Sequence, residues 1–330
     1  MSQNQDKGFS GSVLIARGGK VLLSKGYSMA DWQQQLPNTP HTRFHVGSLT
    51  KQFTAMAILL LQEQGKLHVQ DHVCTYVMDC PPAWQPITIH HLLTQTSGIL
   101  ASNLPTPLPS SPQQFIALYK NLPLNFPAGT QFVYSTDYLL LGYIIQQVSH
   151  EPYAEFVQQR IFAPLHMRKT DFDPAYPSLP NQATGYDVWQ IPVTPTDLDR
   201  SLPSGWSFLL AGAGLESTVE DLYRWDQALY THTLVSASSL EQMFTPYISL
   251  CPSIPWCPPP LTSSAYGYGW FIAKEPGRRV MWHGGRWNGF MAYIGRYPDD
   301  KTTIIVLSNL STVDAFGLAS ELEMKVFARP

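Results

Sequence analysis

The chain has 330 residues, of which 44% are hydrophobic and 14% charged, and its formal net charge is -3. This composition is that of a globular protein with one large domain or two ordinary ones, and it excludes a disordered chain. The sequence has no Lys/Arg run and no basic helix face, so we expect neither nucleic acid nor an anionic membrane as a partner. The longest unbroken apolar run, Ala55 to Leu61, is far shorter than a membrane span, so no membrane insertion is expected.

The N-terminal stretch and the cysteines leave the cellular compartment open. The stretch MSQNQDKGFSGS lacks a signal-peptide core, which slightly favours a cytoplasmic protein over a mature exported form. The four cysteines form two pairs, Cys74/Cys80 and Cys251/Cys257, each six residues apart. Two small disulfide loops and four free thiols both fit this spacing. The sequence does not decide the oligomeric state.

The first half of the chain predicts one hairpin followed by helices. Residues 8–28 form two apolar, β-branched stretches around Gly18-Gly19, which is a hairpin pattern. A helix is predicted from Thr50 to Gln64, with Gly65 as its C-terminal stop. Shorter helices are predicted within 87–99 and 113–122, and a long one over 135–165 with a break near Pro152.

The sequence of the second half of the chain predicts mainly strands, with one helix before them and one after them. An amphipathic helix covers 220–230, and strands are expected over 266–273, 278–285, 289–298 and 301–309, before a final helix over 312–328. The fold class is therefore α/β of the α+β type, an antiparallel sheet flanked by helices with an inserted helical domain. We expect residues 1–70 and 206–330 to form the sheet domain, 71–205 the mainly helical one, and the active site to lie at their interface.

A serine and a lysine stand one turn apart at the head of the first helix, in the stretch GSLTKQF. Alone, an S-x-x-K spacing is expected about once by chance in such a chain, and Ser48 could simply cap the helix. Positions i and i+3 share a helix face, however, so the Lys51 amine can reach the Ser48 hydroxyl. An amine desolvated by the apolar helix would have a lowered pKa and could take the serine proton.

Two later stretches supply groups for the same chemistry. Tyr134 stands just before a helix, where its phenol could relay protons beside a lysine. The sequence His283-Gly284-Gly285 ends a strand, and paired glycines let a substrate lie close to strand backbone. The next N–H, that of Arg286, could donate to an oxyanion. The sequence has no H-E-x-x-H, no G-x-x-x-x-G-K-[ST] and no G-x-G-x-x-G opening a helix, so neither a metal nor another cofactor is expected.

Taken in order, these stretches resemble the serine β-lactamase and penicillin-binding-protein-like family, particularly its class C branch and the related esterases and D-amino-acid peptidases. The resemblance spans about residues 9–312. The segments that carry it are FHVGSLTKQFTA, HHLLTQTSGI, FPAGTQFVYSTDYLLLGYIIQQVS, AGAGLESTVEDLYRW, HGGRWNGF and IIVLSN.

The resemblance implies a role for each candidate residue. Ser48 would be the acylated nucleophile and Lys51 its proton partner. Tyr134 would match the tyrosine of the family's Y-x-N motif and act as general base and acid. His283-Gly284-Gly285 would match its K-T-G element, and the backbone N–H groups of Ser48 and Arg286 would form the oxyanion hole. The implied fold is β-lactamase/transpeptidase-like.

Two departures from the family pattern bear on the substrate. Thr136 replaces the asparagine of Y-x-N, so the amide that normally binds a β-lactam or peptide side chain is missing. His283 replaces the lysine of K-T-G, so a permanent cation becomes one that titrates near neutrality. Arg286 could supply part of that charge. Similar replacements are familiar in the family's esterase-like and aminopeptidase-like members.

The sequence therefore predicts a serine hydrolase that forms an acyl-enzyme on Ser48. Its expected substrates are small esters, amides or peptides, including D-amino-acid amides, with water or another alcohol as acyl acceptor. One alternative is a β-lactamase or D,D-carboxypeptidase that acts on β-lactams or peptidoglycan peptides. An alternative of another class is a catalytically silent binding or assembly member of the family.

Overall fold

A computed structural model describes residues 8–99, 112–120, 123–172, 181–188, 191–192, 204–250, 264–275 and 278–328. In chain order its strands are β1 (Gly11–Arg17), β2 (Lys20–Tyr27), β3 (Met29–Asp31), β4 (Leu36–Pro37), β5 (Phe44–His45), β6 (Tyr186–Val188), β7 (Ile191–Pro192), β8 (Glu216–Ser217), β9 (Ile248–Ser249), β10 (Ala265–Tyr266), β11 (Phe271–Glu275), β12 (Arg278–Trp287), β13 (Phe290–Tyr297) and β14 (Thr302–Ser308). The helices are α1 (Thr50–Glu63), α2 (Ile89–Leu93), α3 (Pro112–Tyr119), α4 (Asp137–Ser149), α5 (Tyr153–Val157), α6 (Val219–Ala228), α7 (Ala237–Met243) and α8 (Ala315–Phe327), with a 3₁₀ segment at Ser204–Gly212.

The main sheet joins the two ends of the chain. Its eight strands lie in the order β2-β1-β14-β13-β12-β11-β10-β9, and every neighbouring pair is antiparallel. The first hairpin turns at Gly18 and Gly19, whose φ values of 57° and 77° lie in the left-handed region that glycine adopts without strain. This arrangement confirms the predicted antiparallel sheet flanked by helices.

Side chains that alternate along the strands build a core on each face of the sheet. Leu14 and its partner Ile305 belong to the large core that surrounds α1. Their neighbours Val13 and Val306 belong to a smaller core beneath α8. Because successive side chains of a strand point to opposite faces, one apolar strand serves both layers. The sheet is therefore covered by α1 on one face and by α8 on the other.

Helix α1 is buried along most of its length, as its apolar run predicts. Every residue from Thr50 to Leu59 is buried. Phe53 packs against Trp225 and Phe162, with ring centroids 4.5 and 5.4 Å away. The helix ends before Gly65, which has a φ of 67°. A polar group at the head of this helix is thus held in an apolar surrounding.

Two predicted elements are divided in the structure. The stretch 266–273, expected as one strand, is a tight hairpin of β10 and β11, because the φ of Gly269 is 75° and its backbone lies against α1. A side chain at Gly269 would come within 2.9 Å of the Lys51 carbonyl oxygen. The predicted long helix over 135–165 is interrupted as expected, since His150 takes a left-handed φ of 60° just before Pro152.

The helical region carries one disulfide in the described residues. Cys74 and Cys80 are joined, which settles that pair in favour of a bridge. Cys251 and Cys257 lie outside the described residues. Within the part of the chain that the structure describes, no helix is long and apolar enough to cross a membrane. The division into residues 1–70 with 206–330 and 71–205 stays a prediction.

Candidate active site

The Ser48 turn is pressed against strand β12. Ser48 lies in a 3₁₀ turn, Gly47–Leu49, that runs directly into α1. A Cβ on Gly47 would stand 2.6 Å from the Arg286 backbone nitrogen, and one on Gly285 would stand 1.9 Å from the Val46 carbonyl oxygen. Both positions therefore need glycine to let two backbones approach closely. This approach brings the backbone of Arg286 beside the Ser48 turn.

The Lys51 amine is buried next to the Ser48 hydroxyl. Its Nζ lies 3.3 Å from Ser48 Oγ and donates to the Gly212 carbonyl oxygen at 2.8 Å. It also stands 4.7 Å from the centre of the Tyr134 ring. Only 4% of the Lys51 surface is exposed, and this burial lowers the pKa of the amine to about 7. A large fraction of Lys51 is thus neutral near pH 7, and Ser48 serves as its partner rather than as a helix cap.

Tyr134 completes the group around Ser48 as a neutral phenol. Its hydroxyl hydrogen-bonds with Ser48, and its ring stacks on Phe271 with centroids 6.3 Å apart. Although 40% of the side chain is exposed, a phenolate would be poorly solvated here, and the pKa of Tyr134 is raised well above its usual value. The hydrogen bond with Ser48 opposes this shift only in part. Tyr134 therefore holds its proton near neutral pH.

His283 is neutral, which corrects the expectation of a group that titrates near neutrality. Its Nδ1 lies 2.6 Å from the Gly284 carbonyl oxygen and must carry the proton, so Nε2 accepts from the Tyr266 hydroxyl at 3.2 Å. Burial, with the nearby charge of Lys51 as a second cause, lowers the pKa of His283 to about 3. The ring thus places no cation where the family pattern has a lysine.

Thr136, which stands at the third position of the Y-x-N motif, lies apart from the cleft lining, while its neighbour Asp137 is buried. Thr136 is the residue before α4, is half-buried, and is not among the described residues that line the cleft. Asp137 is 4% exposed, and its charge acts on Lys51. Burial raises the pKa of Asp137 to about 7, although hydrogen bonds from Ser97 and Ser135 oppose the shift. Sequence reasoning missed Asp137, since an acidic residue at a helix start is ordinarily a solvated charge that favours the helix dipole.

A cleft of about 380 Å³ opens in front of Ser48 and runs along β12 towards α8. Phe271 stacks on Trp282 with centroids 4.5 Å apart, and Phe316 meets Trp282 edge-on at 5.1 Å. The cleft thus has an aromatic wall and an open end at Gly284, where a Cβ would meet nothing closer than 3.8 Å. Its described lining consists of Ser48, Tyr134, Phe271, Trp282, His283, Gly284, Gly285, Arg286, Met291, Ala292, Tyr293, Asp314, Ala315 and Phe316.

The structure gathers Ser48, Lys51, Tyr134, His283 and the Gly284-Gly285-Arg286 stretch around one cleft. A hydroxyl beside a partly neutral amine is an activated nucleophile, and a phenol that keeps its proton is an acid. In the described part of the chain, no group of three or more His, Cys, Asp or Glu residues could hold a metal ion. Fold and site together define a serine hydrolase.

The family follows from comparison with known proteins. The family model described as "Beta-lactamase" matches residues 3–323. The protein belongs to the β-lactamase family, which confirms the resemblance drawn from the sequence motifs.

Named relatives and solved structures agree with this membership. A Bacillus subtilis protein named "Putative penicillin-binding protein PbpX" is 34% identical over 94% of this chain and 73% of its own length. "Penicillin-binding protein 4*" of the same organism is 32% identical over 91% of this chain and 68% of its own length. The crystal structure of a penicillin-binding protein from Bacillus halodurans superposes with a TM-score of 0.81 at 27% identity, over 98% of both chains.

Proposed function

We propose that the protein hydrolyses carboxylic esters or amides that carry an apolar group near the scissile bond, through an acyl-enzyme on Ser48. The observation that carries this proposal is the Lys51 amine, which is buried, has its pKa lowered to about 7 and lies 3.3 Å from Ser48 Oγ. A hydroxyl is a weak nucleophile until a neighbouring base accepts its proton. Lys51 is such a base, since a large share of it is neutral near pH 7.

Acylation begins when Ser48 Oγ attacks the substrate carbonyl carbon and its proton passes to Lys51 Nζ. The carbonyl oxygen becomes an oxyanion, for which the backbone N–H groups of Ser48 and Arg286 are the donors. Such a donor is typically worth 10²–10³-fold in rate. The close approach of β12 to the Ser48 turn supports this role, because it fixes the Arg286 backbone beside the nucleophile.

The leaving group departs with a proton from the Tyr134 hydroxyl, and the Lys51 ammonium returns a proton to Tyr134. A phenol that stays protonated near neutral pH suits this acid role better than that of the first base. Water then attacks the Ser48 ester, gives up a proton along the same path in reverse, and releases the carboxylic acid. Ser48 recovers its hydroxyl, so that each turnover consumes one water molecule.

The cleft favours a substrate with an uncharged apolar group near the scissile bond. His283 is neutral and occupies the place of a permanent cation, so a substrate carboxylate gains little there. The stacked Phe271 and Trp282 and the nearby Phe316 offer an apolar surface instead. Carboxylic esters, D-amino-acid amides and short peptides that carry such a group are the proposed substrate class.

A second candidate function is β-lactam or peptidoglycan-peptide hydrolysis. It is favoured by the names of the relatives, two of which are penicillin-binding proteins, and by the presence of Arg286 in the cleft lining. The Arg286 side chain is exposed, so water screens its attraction for a substrate carboxylate. We therefore rank this activity second.

Turnover of p-nitrophenyl butyrate beside nitrocefin separates the two candidates. The proposal expects faster hydrolysis of the ester, and loss of that hydrolysis in Ser48→Ala. Efficient nitrocefin hydrolysis without esterase activity would reverse the ranking. A fluorophosphonate probe tests the third alternative, a catalytically silent protein, since failure to label the wild type at neutral to alkaline pH would show that Ser48 is not activated.

A further inference from the structure

Phe316 is a large apolar side chain that stands partly in water at the far end of the cleft. It lies in the first turn of α8 and is 46% exposed. Its ring packs in T-shaped geometry against Trp282 and Tyr293, with centroids 5.1 and 5.7 Å away. An exposed ring that continues a row of others enlarges one apolar patch, and such patches mark ligand-binding grooves.

A continuous row of rings joins Phe316 to the acid of the proposed reaction. Tyr134, whose hydroxyl hydrogen-bonds with Ser48, stacks on Phe271 with centroids 6.3 Å apart and 13° between the ring planes. Phe271 stacks in turn on Trp282, at 4.5 Å and 17°. Trp282 carries Phe316 on its other side. The near end of the row is therefore the hydroxyl that gives its proton to the leaving group.

The geometry of β12 leaves an open path from the oxyanion hole to this row. Side chains two residues apart share a face of a strand, and Trp282 and Arg286 both line the cleft on either side of Gly284. A Cβ on Gly284 would meet nothing closer than 3.8 Å, so the space between the two larger residues is free. Four residues of strand separate Trp282 from Arg286 by about 13 Å. A substrate group of that length can lie against the strand.

We propose that the leaving group of the substrate, the alcohol of an ester or the amine of an amide, carries an aromatic ring that lies on this row, and that Phe316 is the specificity-determining residue for it. The inference rests on the proposed function, in which Tyr134 protonates the leaving group. The departing atom must lie beside the Tyr134 hydroxyl, so a group attached to it meets Phe271 and then Trp282. The substrate class is thereby narrowed to arylalkyl esters and amides.

The charges around the row fit an uncharged leaving group. The His283 ring, 6.0 Å from that of Tyr134, is neutral. Asp314 lines the far end of the cleft, where it caps α8 by accepting from the Gly317 backbone N–H at 2.8 Å. An anionic leaving group would approach this carboxylate and be repelled by it. An uncharged ring meets no such penalty.

The test compares two pairs of esters. Ethyl acetate and 2-phenylethyl acetate share an acyl group and have alcohols of similar acidity, so they differ in the bulk of the leaving group. p-Nitrophenyl acetate and p-nitrophenyl hexanoate share a leaving group and differ in the acyl chain. Titration of the released acid gives kcat/KM for the first pair. We expect 2-phenylethyl acetate to exceed ethyl acetate by about tenfold, the lower end of what burial of a phenyl group contributes.

Variants of α8 assign this preference to one ring. Phe316→Ala should lower the ratio of 2-phenylethyl to ethyl acetate by about 2–10-fold, the contribution of one aromatic contact, and should not change the ratio of hexanoate to acetate. Phe316→Tyr keeps the ring and should restore the preference. Met324→Ala removes an exposed apolar side chain of the same helix that is not among the described lining residues, and should change neither ratio. Thermal unfolding of each variant reports its folding separately.

The outcomes separate this inference from the proposed function. Equal kcat/KM for the two acetates, or a preference that persists in Phe316→Ala, would overturn the inference. A fall in the ratio of hexanoate to acetate in that variant would place the acyl chain on the row and overturn it as well. Fluorophosphonate labelling reports Ser48 activation independently of both pairs, so a labelled protein without the preference loses only the inference. A wild type that hydrolyses none of the four esters and is not labelled would overturn the proposed function, and the inference with it.

Discussion

The two adjacent glycines of β12 give a matched pair of substitutions with opposite expected results. In Gly285→Ala, the new Cβ would lie 1.9 Å from the Val46 carbonyl oxygen, about 1.5 Å short of the 3.4 Å at which ordinary van der Waals contact begins. The Cβ is fixed directly to the strand backbone and the oxygen is a backbone atom, so the strand and the Ser48 turn must separate. Overpacking of this kind costs about 1–3 kcal/mol of folding free energy.

The same separation should carry the Arg286 N–H away from the oxyanion. Loss of one such donor lowers kcat by about 10²–10³-fold. In Gly284→Ala, by contrast, the nearest atom to the new Cβ is the Ala292 carbonyl oxygen at 3.8 Å. This is an ordinary contact distance, so the backbone of β12 does not need to shift. We expect this variant to unfold like the wild type and to change kcat only through the small loss of cleft volume.

The assay is thermal unfolding together with kcat and KM for p-nitrophenyl butyrate. Gly285→Ala should lose stability and kcat together, while Gly284→Ala keeps its stability. Equal stability and equal kcat in the two variants would show that the close approach of β12 to the Ser48 turn controls neither folding stability nor the oxyanion donor.

Three further predictions concern the proton path and the disulfide. The acid limb of kcat/KM for the wild type should lie near pH 7, because protonation of Lys51 below its lowered pKa removes the base; a profile flat from pH 5 to 9 would contradict this. Tyr134→Phe should slow acylation by about 10²–10⁴-fold, measured by single-turnover kinetics, and an unchanged rate would remove Tyr134 from the mechanism. The double variant Cys74→Ser, Cys80→Ser should lose about 2 kcal/mol of unfolding free energy in denaturant titration while keeping its kcat, and unaltered stability would contradict the role of this bridge.

Patterns among residues that are near neighbours in the sequence are sufficient to predict the sheet and the pairing of Ser48 with Lys51 in the site. The spacing of Ser48 and Lys51 fixes their relation within one helical turn, and the apolar run after them indicates a buried amine. The apolar, β-branched stretches in the first and last segments of the chain predict a sheet made from both ends. These features depend on neighbours in the sequence, so they are visible without the structure.

The properties that the sequence could not give depend on contacts between distant segments. His283 is neutral because burial and the nearby charge of Lys51 lower its pKa, and both causes arise only when β12 packs beside the Ser48 turn. The Lys51 amine donates to the carbonyl oxygen of Gly212, 161 residues away along the chain. Asp137 is buried and accepts a hydrogen bond from Ser97, although an acidic residue at a helix start is ordinarily solvated. A pKa is set by these surroundings, which no local pattern encodes.

The most direct test of the central claim is mass spectrometry of the protein quenched during turnover of an ester panel. We expect an added acyl mass that matches each ester, located on the peptide that contains Ser48 and absent in Ser48→Ala. D-amino-acid amides and β-lactams in the same panel would define the substrate class. An acyl group on another residue, or one that persists in Ser48→Ala, would show that Ser48 is not the nucleophile.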